Sequence, residues 1–455
     1  MTRLPNCGGN YNNTGNAGVF YVNLNNPRSN SNGNIGFRSV LPQIRQMRCT
    51  HGYTVSTFGG KGSCFRCLCR KTPRARMPVV AIRKPRNDSK EDNVSVKNVF
   101  INVASFHGIA EAEKETRKGK RYTREKLLFF HNYEDNVHEI VGRLLRHDPP
   151  PDSYRQFFLT IPKVRKVVFS DYWTKIIHRA IYNELNPRLN KGFIYDTHSC
   201  IAGHGQLQAM QRVANWVNYV DRKYDKCYYL KMDIEKFFYR IDHQVLYSIL
   251  KKKISDLDML WLLGHYLFEA SRPFGLPLGV KSPLDVPDDE MLWDVGIAIG
   301  GGLSHLYGNV YMDPLDQIIK REEGMPYYSR YMDDMVLIHP DKDELHRIAK
   351  LSDNFLQEVL HLRLNKKTAI RPLSQGIEFV GYRIYPGHVT IRKSTTLRMK
   401  HHLKQVMNDY REGILSFEKA RDTVMSYKAM MKHVNCDALD KHIFDNFVLT
   451  HNKED

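Results

Sequence analysis

The first 76 residues contain no aspartate and no glutamate, yet they carry 11 lysines and arginines. Any catalytic carboxylates must therefore lie further along the chain. The net charge is +19, and beyond residue 76 the balance falls to 57 basic against 49 acidic residues. The excess favours a polyanionic partner, most simply nucleic acid. No apolar run approaches the ~18 residues of a membrane span. The N-terminus is polar and Asn-rich, unlike a secretory signal, so the expected location is cytoplasmic with no membrane partner. Eight cysteines are too scattered for a disulfide framework. Cys64, Cys67 and Cys69 cluster in CFRCLC, near Cys49 and His51, but a paired CxxC motif is missing. A zinc site and a cluster without function both stay open there. There are no internal repeats.

What is present divides in three. Residues 1–95 lack sustained periodicity and are rich in turn and linker chemistry, as in SNSNGN and FGGKGS. Six of the fifteen residues in NLNNPRSNSNGNIGF, 23–37, are asparagine. From about Ala110 the composition turns helical, with Leu127, Val137, Ile140, Val141 and Leu144 as expected core positions, until DPPPD at 148–152 breaks it. YRQFFLTI and RKVVFS read as two strands joined by a turn at PKV. YWTKIIHRAIYNELNPRL follows as a helix ending near Pro187. A second helix has Leu207, Met210, Val213, Val217 and Val220 on one face. CYYLKMDIEKFF reads as a strand, a turn and a helix. Residues 379–392 read as one hairpin turning at Pro386-Gly387, and a basic helical piece begins at Ser394. The fold class is α+β.

The chemistry concentrates in carboxylates. YMDDMVLI places Asp333 and Asp334 side by side between aromatic and apolar residues. Adjacent aspartates in a tight hairpin turn can both reach a site while their strands stay buried. Such close like charges make sense if a divalent cation neutralises them; an ordinary Asp-Asp turn is the alternative. YYLKMDIEKFF puts Asp233 at the end of another apolar strand, 100 residues before Asp333. Carboxylates from two strands can bridge two metal ions roughly 3.5–4 Å apart, the arrangement polymerases use to join a 3′-hydroxyl to an α-phosphate. Magnesium suits it, being held by few carboxylates plus substrate phosphates.

In these motifs and their order, residues 105–445 resemble bacterial reverse transcriptases. PKVRK (162–166) resembles the basic fingers hairpin, and FIYDTHSCIAGHGQLQAM (193–210) the second fingers motif. KMDIEKFF resembles the first palm motif, and GIAIGGGLSHLYGNVYMDPLD (296–316) the glycine-rich motif and its helix. RYMDDMVLI matches YxDD, LRLNKKTAI the late-palm lysine segment, and GIEFVGYRI the primer grip. The resemblance implies a right-hand fold: fingers over 96–225, palm over 226–390 and helical thumb over 391–455, after a low-complexity segment 1–95. It implies two Mg2+ ions, with Mn2+ as a substitute, on Asp233 and Asp333 with Asp334 assisting. Ile234 joins both the metal and the nucleotide sets. Lys163 and Arg165 would meet the triphosphate. Phe238 would stack under the sugar and exclude a 2′-hydroxyl, with palm core as its alternative. Ile299 would lie near the nascent pair, Lys367 would be the late-palm lysine, and Tyr331 would lie under the primer end or in the core.

Two departures refine the expectation. Ala298 and Ile299 stand where many relatives have Pro-Gln, and an aliphatic residue there should loosen geometric checking. This resembles the error-prone enzymes of diversity-generating retroelements, except that His305 follows Ser304 where they have Gln. The implied partners are template RNA, a cDNA or primer strand, dNTPs and a small basic accessory protein. In that setting residues 1 to about 40 resemble a translated template repeat, because Asn codons are adenine-rich. A disordered basic tail and a folded module remain the alternatives. Only about 65 residues follow the primer-grip hairpin, so no sizeable RNase H or endonuclease domain is expected. A retron or antiphage-defence reverse transcriptase is the neighbouring alternative, and a catalytically idle RNA-binding protein the alternative of another class.

Overall fold

The computed structural model describes residues 47–48, 54–55, 95–118, 123–151, 153–160, 164–269, 272–445 and 447–450. The expected template repeat, the cysteine cluster and Lys163 lie outside these residues. The chain divides into a small unit, Asn25–Asp92, and a large one that holds everything from Asn93 onward. In the small unit two short strands, β1 (Met47–Arg48) and β2 (Thr54–Val55), pair antiparallel.

The large unit is α+β. Its centre is a four-stranded antiparallel sheet of β5 (Tyr228–Asp233), β6 (Tyr328–Tyr331), β7 (Asp334–His339) and β8 (Ala369–Pro372), in the order β6-β7-β5-β8. Alternation along a strand sends neighbours to opposite faces, and here both faces are covered. Leu230, Met232, Met335 and Leu337 join the larger core with helices Gly302–Gln317 and Lys342–Glu358. Tyr229, Tyr331, Val336 and Ile338 join a second core with helix Gln206–Lys223 and strands β9 (Ile377–Phe379) and β10 (Tyr382–Tyr385). Burial on both sides explains why β7 reads as a continuous apolar run rather than an alternating one.

The expected hairpin at 154–170 forms as β3 (Tyr154–Leu159) and β4 (Arg165–Ser170), paired from Tyr154–Ser170 to Leu159–Arg165. The single hairpin expected over 379–392 is instead part of a three-stranded sheet. Strand β9 ends at Phe379, and the chain reverses at Val380-Gly381, whose φ angles are 44° and 91°. Strand β10 then turns at Pro386-Gly387 into β11 (His388–Ile391). Positive φ at both central positions is what a tight two-residue hairpin needs, and Gly381 supplies one of them without strain.

Two helical expectations also shift. The region after Ala110 forms helices Phe106–Arg117, Arg124–His131 and Tyr133–Leu145. Val137, Ile140 and Leu144 are fully buried there, but Leu127 is 56% exposed because its short helix turns Phe129 inward instead. The helix starting at Tyr172 continues through Pro187 to Leu189. Three further helices, Lys393–Arg411, Phe417–Met431 and Asp437–Phe444, share a small core around Met399, Leu403 and Met431. Among the described residues no helix is long and apolar enough to cross a membrane.

Candidate active site

Antiparallel register sets Asp233, the last residue of β5, directly opposite Asp334, the first of β7. They therefore share one face of the sheet, and like charges so placed repel. Strands β6 and β7 are joined by the two-residue turn Met332-Asp333, with Tyr331 paired to Asp334 and Met332 at φ 59°. The turn puts Asp333 beside the other two carboxylates. Burial, then the charges of Asp233 and Asp334, push its pKa up to about 7, and Arg165 in β4 pulls the other way. Asp334 is also raised, chiefly by burial, and Lys231 opposes this.

Lys231 lies two residues before Asp233 on the same face, diagonal to Asp334 across β5 and β7. Its ammonium forms an ion pair with the Asp334 carboxylate and sits 4.8 Å from the centre of the Phe379 ring. Asp334, expected only to assist, is thus already partnered within the sheet. Asp233 is held by Asn365, whose side-chain amide donates to Oδ2 at 3.1 Å and whose backbone N–H donates to the Asp233 carbonyl at 2.7 Å. Among the described residues no three His, Cys, Asp or Glu side chains form a ready metal cluster. The donor chemistry still suits a hard cation at Asp233 and Asp333: their mutual repulsion is the charge a divalent ion relieves, and magnesium needs only one or two carboxylates.

Below the turn lies a buried polar network. Arg330, fully buried, donates through Nε and Nη2 to Asp316 and through Nη1 to the Met332 carbonyl at 3.0 Å. Tyr328 Oη donates to Asp316 at 2.7 Å, and Asn309 accepts from Arg330 while donating to the Ser199 carbonyl. The turn bearing Asp333 is therefore tied to helix Gly302–Gln317 and to the loop at 197–200.

The other expected residues have these surroundings. Ile234 buries its side chain in the larger core, and its N–H donates to the Asp333 carbonyl at 3.3 Å, so only its main chain is available to a ligand. Phe238 is half-buried, 5.2 Å from Phe237 and edge-on to His305 at 5.8 Å. Arg165 opens β4. The Val168 N–H donates to the Ile299 carbonyl at 3.4 Å, which docks the glycine-rich loop on the β3–β4 hairpin. Ala298 packs there against Tyr154, Val168 and Phe274. Lys367 is exposed, and its N–H caps the Asn365 side chain. Tyr331 is buried in the second core.

Sequence reasoning missed Lys231, Asn365 and the Arg330–Asp316 pair. An arginine amid the aromatics of YYSRYMDD was the one legible signal, because a charge in a buried strand demands a partner.

Residues 161–384 match the family described as "Reverse transcriptase (RNA-dependent DNA polymerase)". The four-stranded sheet with its carboxylates falls inside the matched residues. The chain is 23% identical over 289 residues to the COX1/OXI3 intron 2 protein of Saccharomyces cerevisiae, covering 51% of this chain and 33% of that protein. It thus spans about a third of that relative's length. Among solved structures it is similar to apo telomerase from Candida tropicalis, with a TM-score of 0.41 and 13% identity over 69% of this chain and 64% of that one. The same telomerase truncated from its C-terminal domain gives a TM-score of 0.38 and 15% identity over 57% and 60%.

Proposed function

We propose that the chain is an RNA-directed DNA polymerase that extends a primer strand on template RNA. The observation that carries this is the convergence of Asp233 and Asp333 at one end of the central sheet, within the residues that match the reverse transcriptase family. Asp233 and Asp333 would hold divalent cations, Mg2+ or Mn2+. Bound there, such ions activate the 3′-hydroxyl and neutralise the triphosphate and its leaving group. Asn365 orients Asp233, and Lys231 pairs with Asp334 beside them. Arg165, with Lys163, meets the triphosphate, and Phe238 sits against the sugar to exclude a 2′-hydroxyl. In this reading fingers, palm and thumb span 96–225, 226–390 and 391–455. The test is dNTP incorporation by purified protein on an RNA template with a DNA primer. Asp333→Ala should abolish it; incorporation that survives would refute the metal assignment.

Within that activity, the reading we favour is error-prone copying of a template repeat at adenines, as in diversity-generating retroelements. Ile299 supports it, since an aliphatic side chain at the glycine-rich loop offers no hydrogen bond to a nascent pair. The Asn-rich start supports it independently. A small basic accessory protein would then assist the enzyme. Sequencing the DNA around this reading frame tests it. A nearby copy of the codons for residues 1–40, differing almost only at template adenines, is expected; absence of any repeat would leave a reverse transcriptase of other biology.

A further inference from the structure

His305 occupies a position that the proposed mechanism leaves unused. It lies in the first turn of helix Gly302–Gln317, and its imidazole meets the Phe238 ring edge-on, at 5.8 Å and 88°. The Cys200 side chain and the Gly301 backbone lie beside the imidazole. Cys200 is itself fixed: its backbone adopts φ 57°, Ser199 Oγ donates to its sulfur at 3.6 Å, and Tyr182 Oη donates to its carbonyl at 3.4 Å. Ser199 in turn accepts from Asn309, which Arg330 engages from beneath the Asp333 turn. A non-glycine residue in the left-handed region is costly and persists only where its surroundings impose it.

We infer that His305, flanked by Cys200 and Gly301, is a positioning residue that holds the Phe238 ring in place and thereby sets discrimination between deoxyribonucleotides and ribonucleotides. The inference rests on the reading of Phe238 as the residue that faces the sugar. Phe238 is only half-buried, so its ring needs a wall to keep it from swinging away from a 2′-hydroxyl. On one side Gly308 has no side chain, leaving room for the ring. An added Cβ there would stand 3.5 Å from Phe238 and 3.0 Å from Phe237. On another side the edge of His305 supplies the wall. An imidazole free to rotate would do this poorly; one flanked by Cys200 and the Gly301 backbone has less room to turn.

The test is single-turnover incorporation of dNTP and rNTP by the full chain on a primed RNA template, comparing kcat/KM for each. His305→Ala should shift the dNTP-to-rNTP ratio toward ribonucleotides by about two- to tenfold, the range an edge-to-face ring pair supports. Its main effect should be a lower KM for rNTP with little change in kcat for dNTP. Cys200→Ala should shift the ratio in the same direction, and Cys200→Ser, which keeps most of the side chain's volume beside the imidazole, should restore part of it. In a Phe238→Ala background His305→Ala should add nothing, since its effect passes through that ring. Equal losses for both nucleotides, or additive effects in the double variant, would overturn the inference and leave the Phe238 reading standing. If Phe238→Ala alone leaves the ratio unchanged, the reading of Phe238 fails and the inference falls with it. Should His305→Ala not fold, the Cys200 pair and His305→Gln carry the same comparison.

Discussion

The guanidinium of Arg330 and the carboxylate of Asp316 meet at 2.6 Å with no solvent exposure on either side chain. Taking both charges out of water is expensive, and the geometry compensates by giving each further partners: Met332 and Asn309 for the arginine, Tyr328 and Thr197 for the aspartate. Either single change, Arg330→Met or Asp316→Asn, should destabilise the protein by about 3–5 kcal/mol, because an unpaired charge or donor stays buried. Replacing both with apolar residues should cost less than the sum of the two. Denaturant unfolding of the three variants measures this, and additive losses would mean that the two groups are not coupled.

Asn365 holds Asp233 through one side-chain bond and one backbone bond. Asn365→Ala removes only the first, so stability should change by about 1 kcal/mol. The free Mg2+ needed for half-maximal polymerisation should rise by about 10- to 100-fold, as for lost partners of metal ligands generally. An unchanged Mg2+ titration would show that Asp233 needs no such orientation.

His198 gives the protein an acid-sensitive element. It is fully buried, and neither ring nitrogen has a hydrogen-bond partner. Burial, followed by the charges of His204, Arg212 and Lys320, lowers its pKa to about 4. Between pH 4 and 6.5 the unfolded chain therefore binds a proton that the folded chain refuses. Its contribution is fully present above 6.5 and is lost as pH falls toward 4, by roughly 3 kcal/mol over the window. His198→Leu should leave stability within about 1 kcal/mol of the parent at pH 8, since no hydrogen bond is broken. It should also flatten the fall in Tm between pH 6.5 and 4. His178, lowered to about 4 by its own burial, should contribute a parallel loss that His198→Leu leaves intact.

Gly308 lets its helix approach the turn. A Cβ there would stand 2.9 Å from Met332 Sδ and 3.0 Å from the Phe237 ring. Gly308→Ala gains about 1 kcal/mol of helix propensity, which opposes an overpacking cost of about 1–3 kcal/mol. The net change in stability should be small while the turn carrying Asp333 is displaced. We therefore expect polymerase activity to drop more than tenfold at nearly constant Tm, since misplacement of about 1 Å can cost that much. Full activity at unchanged Tm would show that Met332 and Phe237 yield freely.

These contacts separate what could be read in advance from what could not. Strand β7, the β3–β4 hairpin and the helix bearing Val213, Val217 and Val220 follow from local pattern, because burial on one face or two imposes a period. Asp233, Asp333 and Asp334 stand out because paired acids beside apolar runs are rare without a use. Leu127 looked like core because composition marks a helix without telling which side of a short one turns inward. The hairpin over 379–392 looked as if it had a single turn because Val380 gives no sign of a positive φ. Lys231 and Asn365 resemble ordinary polar residues. Their partners lie 103 and 132 positions away, at Asp334 and Asp233, and only the finished fold brings them together.

The strand order carries a consequence for biosynthesis. Strand β5 is central, yet both neighbours follow it in the chain: β7 by about a hundred residues, β8 later still. At translation speeds of roughly 5–20 residues per second, an apolar strand with two open edges would wait at least ~5 s on the ribosome for its first partner. Helix Gln206–Lys223, made just before it, packs on one face and can shelter that face in the interval. The nascent chain should be most exposed to aggregation, and most dependent on chaperones, while residues 234 to about 334 are being made.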